Sequence, residues 1–479
     1  MAGLLVTDGY KFSMAEAGWP LREETFYASH RKGGLQVLPF DVEKLVREVL
    51  PVPEAGDWEF LAKHDYEMSA GFKAAMALIS QVRIHALPKN AVFHDREPIL
   101  CITGPSAVVS WLEPLVLMWS YRVQVATVAL LRPDELAAAV GTVTCEEQKR
   151  IVLETLDAVG VKAPPITVAS EAYVARVTAR VKELAEVTGT ADRLFEVGLR
   201  AATCVEQHLL ALEGCKAAGL TRTSHVYGAR VKGLIPVGTM GHEHVQRFGS
   251  DDAAFRAMVE RRSNRSSFLL DTFDTIQSGI PAAYAIIKER GGKHDSIRYD
   301  SGDKEAQYRF AAKLADEMGI RPVQILEDGF DTALTKRFEE LRKEVGWTPE
   351  EQVYGYGGFI VAQTAGSPLT RDRVSAVYKL TQTGKRACMK FGNEAGSGKQ
   401  SVPGKPVLWR RRAGASGPFG VVAQEGEAVA EGYELLTGAP ASSSPALAEA
   451  KSVRAEDLRL VHSPATEALV TRLKKEAFG

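Results

Sequence analysis

The chain has 479 residues, with 59 lysines and arginines against 60 aspartates and glutamates, a formal net charge of -1. That balance does not suit a protein that coats nucleic acid or lies on an anionic membrane, because both need a net positive field. A small anionic ligand is not excluded, since it needs only a local basic pocket. With 45% hydrophobic and 25% charged residues the composition is globular, and the length suits two or three domains of about 150 residues, or a large barrel with additions.

The opening apolar stretch, residues 1–6, is too short for a signal peptide. Cys101, Cys145, Cys204, Cys215 and Cys388 are widely spaced and form no C-x-x-C pair, which predicts reduced thiols in a cytoplasmic protein. Up to about residue 110, short strand-like runs alternate with turns. Residues 24–29 predict a strand, and 91–102 predict a hairpin around Asp95-Arg96-Glu97. Residues 105–220 are helix-rich. The apolar stretch 108–131 is broken by Glu113, Pro114 and Arg122 and reads as buried helix rather than a membrane span; 134–158 and 170–187 have helical spacing.

From about 220 to 360 short apolar runs (234–237, 267–270, 296–298, 323–326 and 353–356) alternate with helical patterns, as in a parallel sheet or barrel. Such folds carry their chemistry at the C-terminal ends of the strands. The polar clusters follow that rule: Gly238-Thr239, Asp271-Thr272, Asp300-Ser301-Gly302-Asp303, Glu327-Asp328-Gly329 and Gly357-Gly358. Strand and turn return after 360 (376–381, 406–410), loops are expected at 413–419 and 438–445, and a closing helix near Ser463-Pro464. The resulting division is residues 1–115, 116–360 and 361–479.

No P-loop, dinucleotide fingerprint or nucleophile elbow is present. His242 and His244 stand at i and i+2, on different faces of any helix, so they do not make a helical zinc pair. The paired acids Asp300/Asp303 and Asp271/Asp274 suit sugar hydroxyls or hydrated Mg²⁺, or else cap the helices that follow. Arg200 suits a carboxylate or phosphate, or a surface ion pair. Taken together, acidic and glycine-rich strand ends within about 90 residues favour a sugar-phosphate site.

In order along the chain, Thr7-Asp8-Gly9-Tyr10-Lys11, the Arg200 segment, Thr223-Ser224-His225, Gly238-Thr-Met-Gly-His242, Arg298-Tyr-Asp300-Ser-Gly302, Glu327-Asp328-Gly329, Gly355-Tyr-Gly-Gly358 and Val402-Pro-Gly-Lys405 resemble the nicotinate phosphoribosyltransferase family, with its close relative nicotinamide phosphoribosyltransferase. The resemblance implies an α/β fold: an irregular α/β barrel of type II phosphoribosyltransferase kind, plus an α+β domain built from both chain ends. It implies a homodimer with shared active sites, in the cytoplasm, joining nicotinate to 5-phosphoribosyl 1-diphosphate with Mg²⁺ and ATP.

By position, His242 resembles the histidine that ATP phosphorylates. Arg200 and Arg298 resemble contacts to the pyridine ring and its substituent. Asp300 and Asp328 resemble ribose-side carboxylates, with Asp271 beside them. Gly302, Gly329, Gly357 and Gly358 resemble the phosphate cradle. Tyr10 resembles a ring-stacking tyrosine from the other subunit, Arg31 a phosphate contact from that subunit, and Lys379 and Lys405 further phosphate contacts. The resemblance assigns no metal ligands.

Ser224 stands where the nicotinamide enzymes carry an aspartate, which favours nicotinate; Lys11 and the Gly-Tyr-Gly-Gly run resemble the nicotinamide branch. Val197 replaces an expected aromatic, Arg222 an expected glycine and His225 an expected asparagine. Nicotinamide as substrate, or a catalytically weak homologue that binds ligand or partner, are the alternatives.

Overall fold

The computed structural model describes residues 2–262, 265–291, 295–362, 369–391, 400–440, 447, 451 and 458–478. Helix α1 (Tyr10–Ala17) leads into β1 (Glu23–His30), buried from its second residue onward. β3 (Pro98–Pro105) pairs antiparallel with β1 and with β2 (Arg83–Ala86). The hairpin expected around Asp95-Arg96-Glu97 does not form: Val92–Phe93 pairs with Gln36–Val37 instead. The turn is drawn inward, because buried Glu97 accepts two hydrogen bonds from the Arg410 guanidinium, both 2.7 Å. Arg96 takes a left-handed φ of 67°.

The stretch Ser106–Leu131 is long and apolar enough to cross a membrane, but 78% of its most apolar 18-residue window is buried in the fold. It breaks into short helices, including α2 (Glu113–Met118) and α3 (Ser120–Leu131). The helix expected over 134–158 is also interrupted, with helical pieces at Leu136–Val140 and Glu146–Ala158. α4 (Ser170–Thr188) runs unbroken and ends on left-handed Gly189.

The middle of the chain then alternates strand and helix. In chain order come β4 (Leu194–Glu196), β5 (Arg222–Thr223), β6 (Ile235–Pro236), α5 (His242–Phe248), β7 (Ser267–Leu269), β8 (Ser296–Tyr299), α6 (Lys304–Met318), β9 (Val323–Leu326), α7 (Thr332–Glu344) and β10 (Gln352–Tyr356). The seven strands form one sheet in the spatial order β6-β5-β4-β10-β9-β8-β7, with every pairing parallel. The edges β6 and β7 are consecutive in sequence but not paired with each other. The sheet is thus a curled, open half-barrel rather than a closed one. Because all strands point the same way, their C-terminal ends meet on one side.

β11 (Ala376–Thr383) pairs antiparallel with β1 along its length and with β12 (Arg386–Ala387), giving a five-stranded sheet β12-β11-β1-β3-β2 from distant parts of the chain. β13 (Pro406–Arg411), β14 (Gly420–Gln424), β15 (Tyr433–Leu435) and β16 (Leu460–His462) form a separate four-stranded sheet, and α8 (Pro464–Phe478) closes the chain. Residues 413–419 form the expected loop up to the start of β14; of the loop expected over 438–445, positions 441–445 lie outside the described residues.

One fully buried ion pair fastens the antiparallel sheet to the half-barrel. Arg247 of α5 donates to both Glu24 oxygens of β1 at 2.7 and 2.8 Å, and Thr383 of β11 donates to the same carboxylate at 2.9 Å. Removing one partner strands a buried charge, at a cost of about 3–5 kcal/mol. Arg247→Met should lower the unfolding free energy by about that amount in urea titration, and adding Glu24→Gln should recover much of the loss. A single variant within about 1 kcal/mol of the parent would show that the pair does not bind the two sheets together.

Candidate active site

Three successive strand ends repeat one local device. β7, β8 and β9 are followed by Asp271, Asp300 and Asp328. In each case the acid three residues later caps the next helix: Asp274 accepts from the amides of Ile276 and Gln277, Asp303 from Ala306, and Asp331 from Leu334. The capping role thus falls to the second acid of each pair, which leaves the first at the mouth of the sheet. Asp328 and Gly329 take left-handed φ values of 56° and 76°; a non-glycine residue there is strained, and such strain gathers at functional sites.

His242 opens α5. Its Nε2 lies 2.9 Å from Asp271 Oδ1, 3.7 Å from Asp300 Oδ2 and 3.0 Å from Lys390 Nζ. Ser301 donates a short hydrogen bond to the other Asp271 oxygen. Burial favours the neutral form of Asp271, but His242, Lys390 and Ser301 outweigh it and hold the carboxyl well below the usual range. Burial lowers the pKa of His242, with Asp271 opposing and Lys390 reinforcing. Burial and Asp271 would also raise Asp300, yet Arg298, His242 and Lys390 bring it down to about 2. His242, Asp271 and Asp300 bring ligand atoms within 4.8 Å of one another, an oxygen-rich set that suits a hard cation.

Two cavities meet at this point. The polar one, about 250 Å³, is lined by Tyr10, Arg31, Arg200, His242, Arg298, Asp300 and Asp328, together with Arg371, Lys379 and Lys390. The other, about 480 Å³, runs inside the half-barrel past Phe195, Val197, Ser224, Ile325 and Val353. Tyr10, Arg200 and Arg298 belong to both walls. Arg298 donates to Thr239 Oγ1 at 2.6 Å, the Met240 carbonyl at 3.1 Å and Asp300 Oδ1 at 3.1 Å, and lies 3.5 Å from Glu327. The Arg200 guanidinium sits 5.7 Å from the Tyr10 ring centre, 3.4 Å from Asp8 and 3.6 Å from Glu113. Ser224 donates to Asp8 at 2.6 Å.

The sequence therefore finds most of the walls, with corrections. Tyr10 and Arg31 reach the site from the same chain as Arg200 and Asp300, where the resemblance leads one to expect a second subunit to supply them. Among the described residues, Gly302, Gly329, Gly357 and Gly358 line neither cavity; Gly358 borders it through Asp372, whose Oδ2 would lie 3.2 Å from an added Cβ. Lys405 points elsewhere, 3.7 Å from Glu425. His244 is a core histidine bonded to the Ala254 carbonyl at 2.8 Å.

Sequence reasoning misses Glu113, Arg371 and Lys390. Lys390 lies about 150 positions from His242 with no local pattern to flag it, whereas Glu113 is visible as a carboxylate inside an apolar run.

A scan against protein-family models gives no match. A nicotinate phosphoribosyltransferase of Mycobacterium tuberculosis is 29% identical over 199 residues, 40% of this chain and 39% of that protein. The matched stretch thus spans about two fifths of that relative. Longer matches reach the nicotinate phosphoribosyltransferases of Bos taurus, 26% identical over 85% of this chain and 76% of theirs, and Homo sapiens, 25% identical over 92% and 83%. The solved nicotinate phosphoribosyltransferase of Porphyromonas gingivalis superposes with a TM-score of 0.59 at 18% identity, over 84% of this chain and 96% of that one. That of Vibrio cholerae gives 0.57 at 16%, over 82% and 88%. These two structures show a shared fold.

Burial drives Lys379 down to about 7; Glu113 opposes, and Lys390, Arg31 and Arg200 reinforce. An anion in the polar cavity prefers the ammonium form, which is populated below that pH. Sulfate, whose charge is constant from pH 6 to 8, should bind more weakly as pH rises through 7. Lys379→Met should flatten that dependence in calorimetric titration. An equal pH slope in both proteins would remove Lys379 from the anion site.

Proposed function

We propose that the chain is a member of the nicotinate phosphoribosyltransferase family and joins nicotinate to 5-phosphoribosyl 1-diphosphate in NAD salvage, giving nicotinate mononucleotide and diphosphate. The observation that carries this reading is the meeting of a cation-rich polar cavity and an apolar chamber at Tyr10, Arg200 and Arg298. One cavity suits a phosphorylated sugar, the other an aromatic ring, and the reacting atoms would meet at the junction.

In the polar cavity Arg31, Arg371, Lys379 and Lys390 face the phosphates, with Asp300 and Asp328 at the ribose. The phosphate cradle at Gly302, Gly329, Gly357 and Gly358 is carried by the family resemblance, since none of the four lines either cavity. As diphosphate leaves C1, positive charge builds on the ribose, and Asp300, ionised at neutral pH, is placed to stabilise it. The pyridine nitrogen attacks with its own lone pair and needs no base; it needs orientation. Tyr10 and Phe195 supply aromatic surface, and Arg200 and Arg298 take the carboxylate. Val197 offers only aliphatic contact, so Phe195 and Tyr10 carry the ring stacking.

Asp271, Asp300 and His242 fit Mg²⁺ as a donor set, and Mg²⁺ bound there supplies neutralisation of charge on the leaving diphosphate. ATP assistance is assigned to His242 as phosphoryl acceptor. The tautomer that donates Nε2–H to Asp271 leaves the lone pair on Nδ1; the tautomer that accepts from Lys390 leaves it on Nε2, beside an ammonium that would offset the added phosphoryl charge. The cytoplasmic location rests on five buried free thiols. The homodimer with shared active sites belongs to the same reading and is carried by the family resemblance.

One observation favours nicotinamide as a second reading. Asp8 Oδ2 lies 3.4 Å from Arg200 Nε behind the cavity wall; a carboxylate there offsets the guanidinium charge and weakens its preference for an acid over an amide. Purified protein given 5-phosphoribosyl 1-diphosphate with each base, with and without ATP, separates the readings. Mononucleotide from nicotinate supports transfer to the acid, product from nicotinamide alone supports the second reading, and no product from folded protein sinks both. His242→Ala should abolish ATP stimulation and leave slow basal transfer; persistent stimulation would remove the phosphohistidine.

A further inference from the structure

A closed α/β barrel is filled by layers of side chains, whereas this sheet is open between β6 and β7. Here about 480 Å³ stays open, and its walls run the whole length of the strands. At one end lie Ser224 and Arg200, beyond the strands' C-terminal ends; at the other lie Arg222 and Ser267, the first residues of β5 and β7. The chamber therefore has a far mouth, at the N-terminal end of the sheet.

That mouth is basic. Arg222 and Arg265 stand there, and Lys63, Asp65 and Arg262 also line the chamber. Arg262 is engaged, donating to Ser13 at 2.9 Å and lying 4.8 Å from the Tyr66 ring. Arg222 and Arg265 have no ion-pair partner within 4 Å among the described residues. Burial and Arg265 together push the Arg222 guanidinium down from its usual range, with Asp192 opposing. At the inner end the logic is reversed: Arg200 and Arg298 each face carboxylates. A half-buried guanidinium held beside a second one is costly unless an anion visits it.

We infer that the far mouth is an anion port, with Arg222 and Arg265 selecting for the anionic pyridine base. The inference rests on the proposed transfer reaction and adds a route to it. Once a phosphoribosyl substrate fills the polar cavity, it covers that side of Tyr10, Arg200 and Arg298, and the base still reaches the junction through the chamber. Cations at a low-dielectric mouth focus the field and raise the arrival rate of an opposite charge by roughly 10–1,000-fold. A neutral ring gains nothing from them.

The test uses stopped-flow association of fluorescent 2-aminonicotinate and its neutral partner 2-aminonicotinamide, with the full chain saturated in inorganic diphosphate so that no transfer occurs. Arg222→Ser with Arg265→Ser should slow the acid about tenfold at low salt, flatten its ionic-strength dependence, and leave the amide within about twofold. Ile235, half exposed on the same mouth, supplies a steric control: Ile235→Trp should slow both probes.

An acid rate unchanged by the arginine substitutions, equal slowing of acid and amide, or no effect of Ile235→Trp would each overturn the port. Turnover is read separately. A parent protein that makes no mononucleotide sinks the transfer reading, while the association comparison still decides whether the mouth selects anions.

Discussion

The carboxylate of Glu113 is the constraint on which the site depends. It sits at the start of α2, 5% exposed. It accepts from the Tyr10 hydroxyl at 3.0 Å, lies 2.7 Å from Lys11 Nζ, and faces Arg200 at 3.6 Å. Burial would raise its pKa, but Lys11, Arg200 and Lys379 hold it well below the usual range. One fixed negative charge thus ties α1 to the loop after β4 and keeps Tyr10 and Arg200 on the shared wall of the two cavities. Lys11 extends the link to Glu243 at 2.8 Å, next to His242. Several kcal/mol of desolvation are offset here only because the partners are themselves charged and close. Such a network specifies one arrangement of α1 against the half-barrel.

The same constraint explains how much the sequence showed. The parallel sheet was legible because each strand is a short apolar run followed by an acid or glycine; the 323–326 run coincides with β9, and 353–356 differs from β10 by one residue. The site's acids were legible for the same reason, and their ambiguity dissolves in the structure: Asp271 and Asp274 do not compete for one role, since the first pairs with His242 behind the cavity wall and the second caps a helix.

What was illegible is what long-range electrostatics decides. Glu113 interrupts an apolar run, which reads as a break in a span; its value appears only when Lys11 and Arg200 fold onto it. Lys390 and Arg371 carry no pattern, because β11 brings them to the site through pairing with β1 far upstream. The 91–102 hairpin fails for a related reason. Its turn contains a carboxylate that local propensity places in solvent, and Arg410, more than 300 residues later, claims it inside the protein.

A chain with a net charge of -1 gathers six basic side chains around one cavity, against five acidic ones. Burial lowers the pKa of Arg31, Arg371 and Lys379, and in each case neighbouring cations reinforce it. All are pushed toward neutrality by their surroundings, so the empty cavity is electrostatically uncomfortable in one direction only. A phosphate relieves each of them at once, and the relief is larger in a buried site than in water. The acids answer with the opposite bias. Asp271 is held ionised by His242 and Lys390, and Asp300 by Arg298, His242 and Lys390, so both are already charged when positive charge develops on the ribose. Placing the two biases side by side, with a chamber walled by Phe195, Val197 and Ile325 opening between Arg200 and Arg298, gives a site whose anionic ligand, cationic transition state and flat ring each find their surroundings prepared before binding.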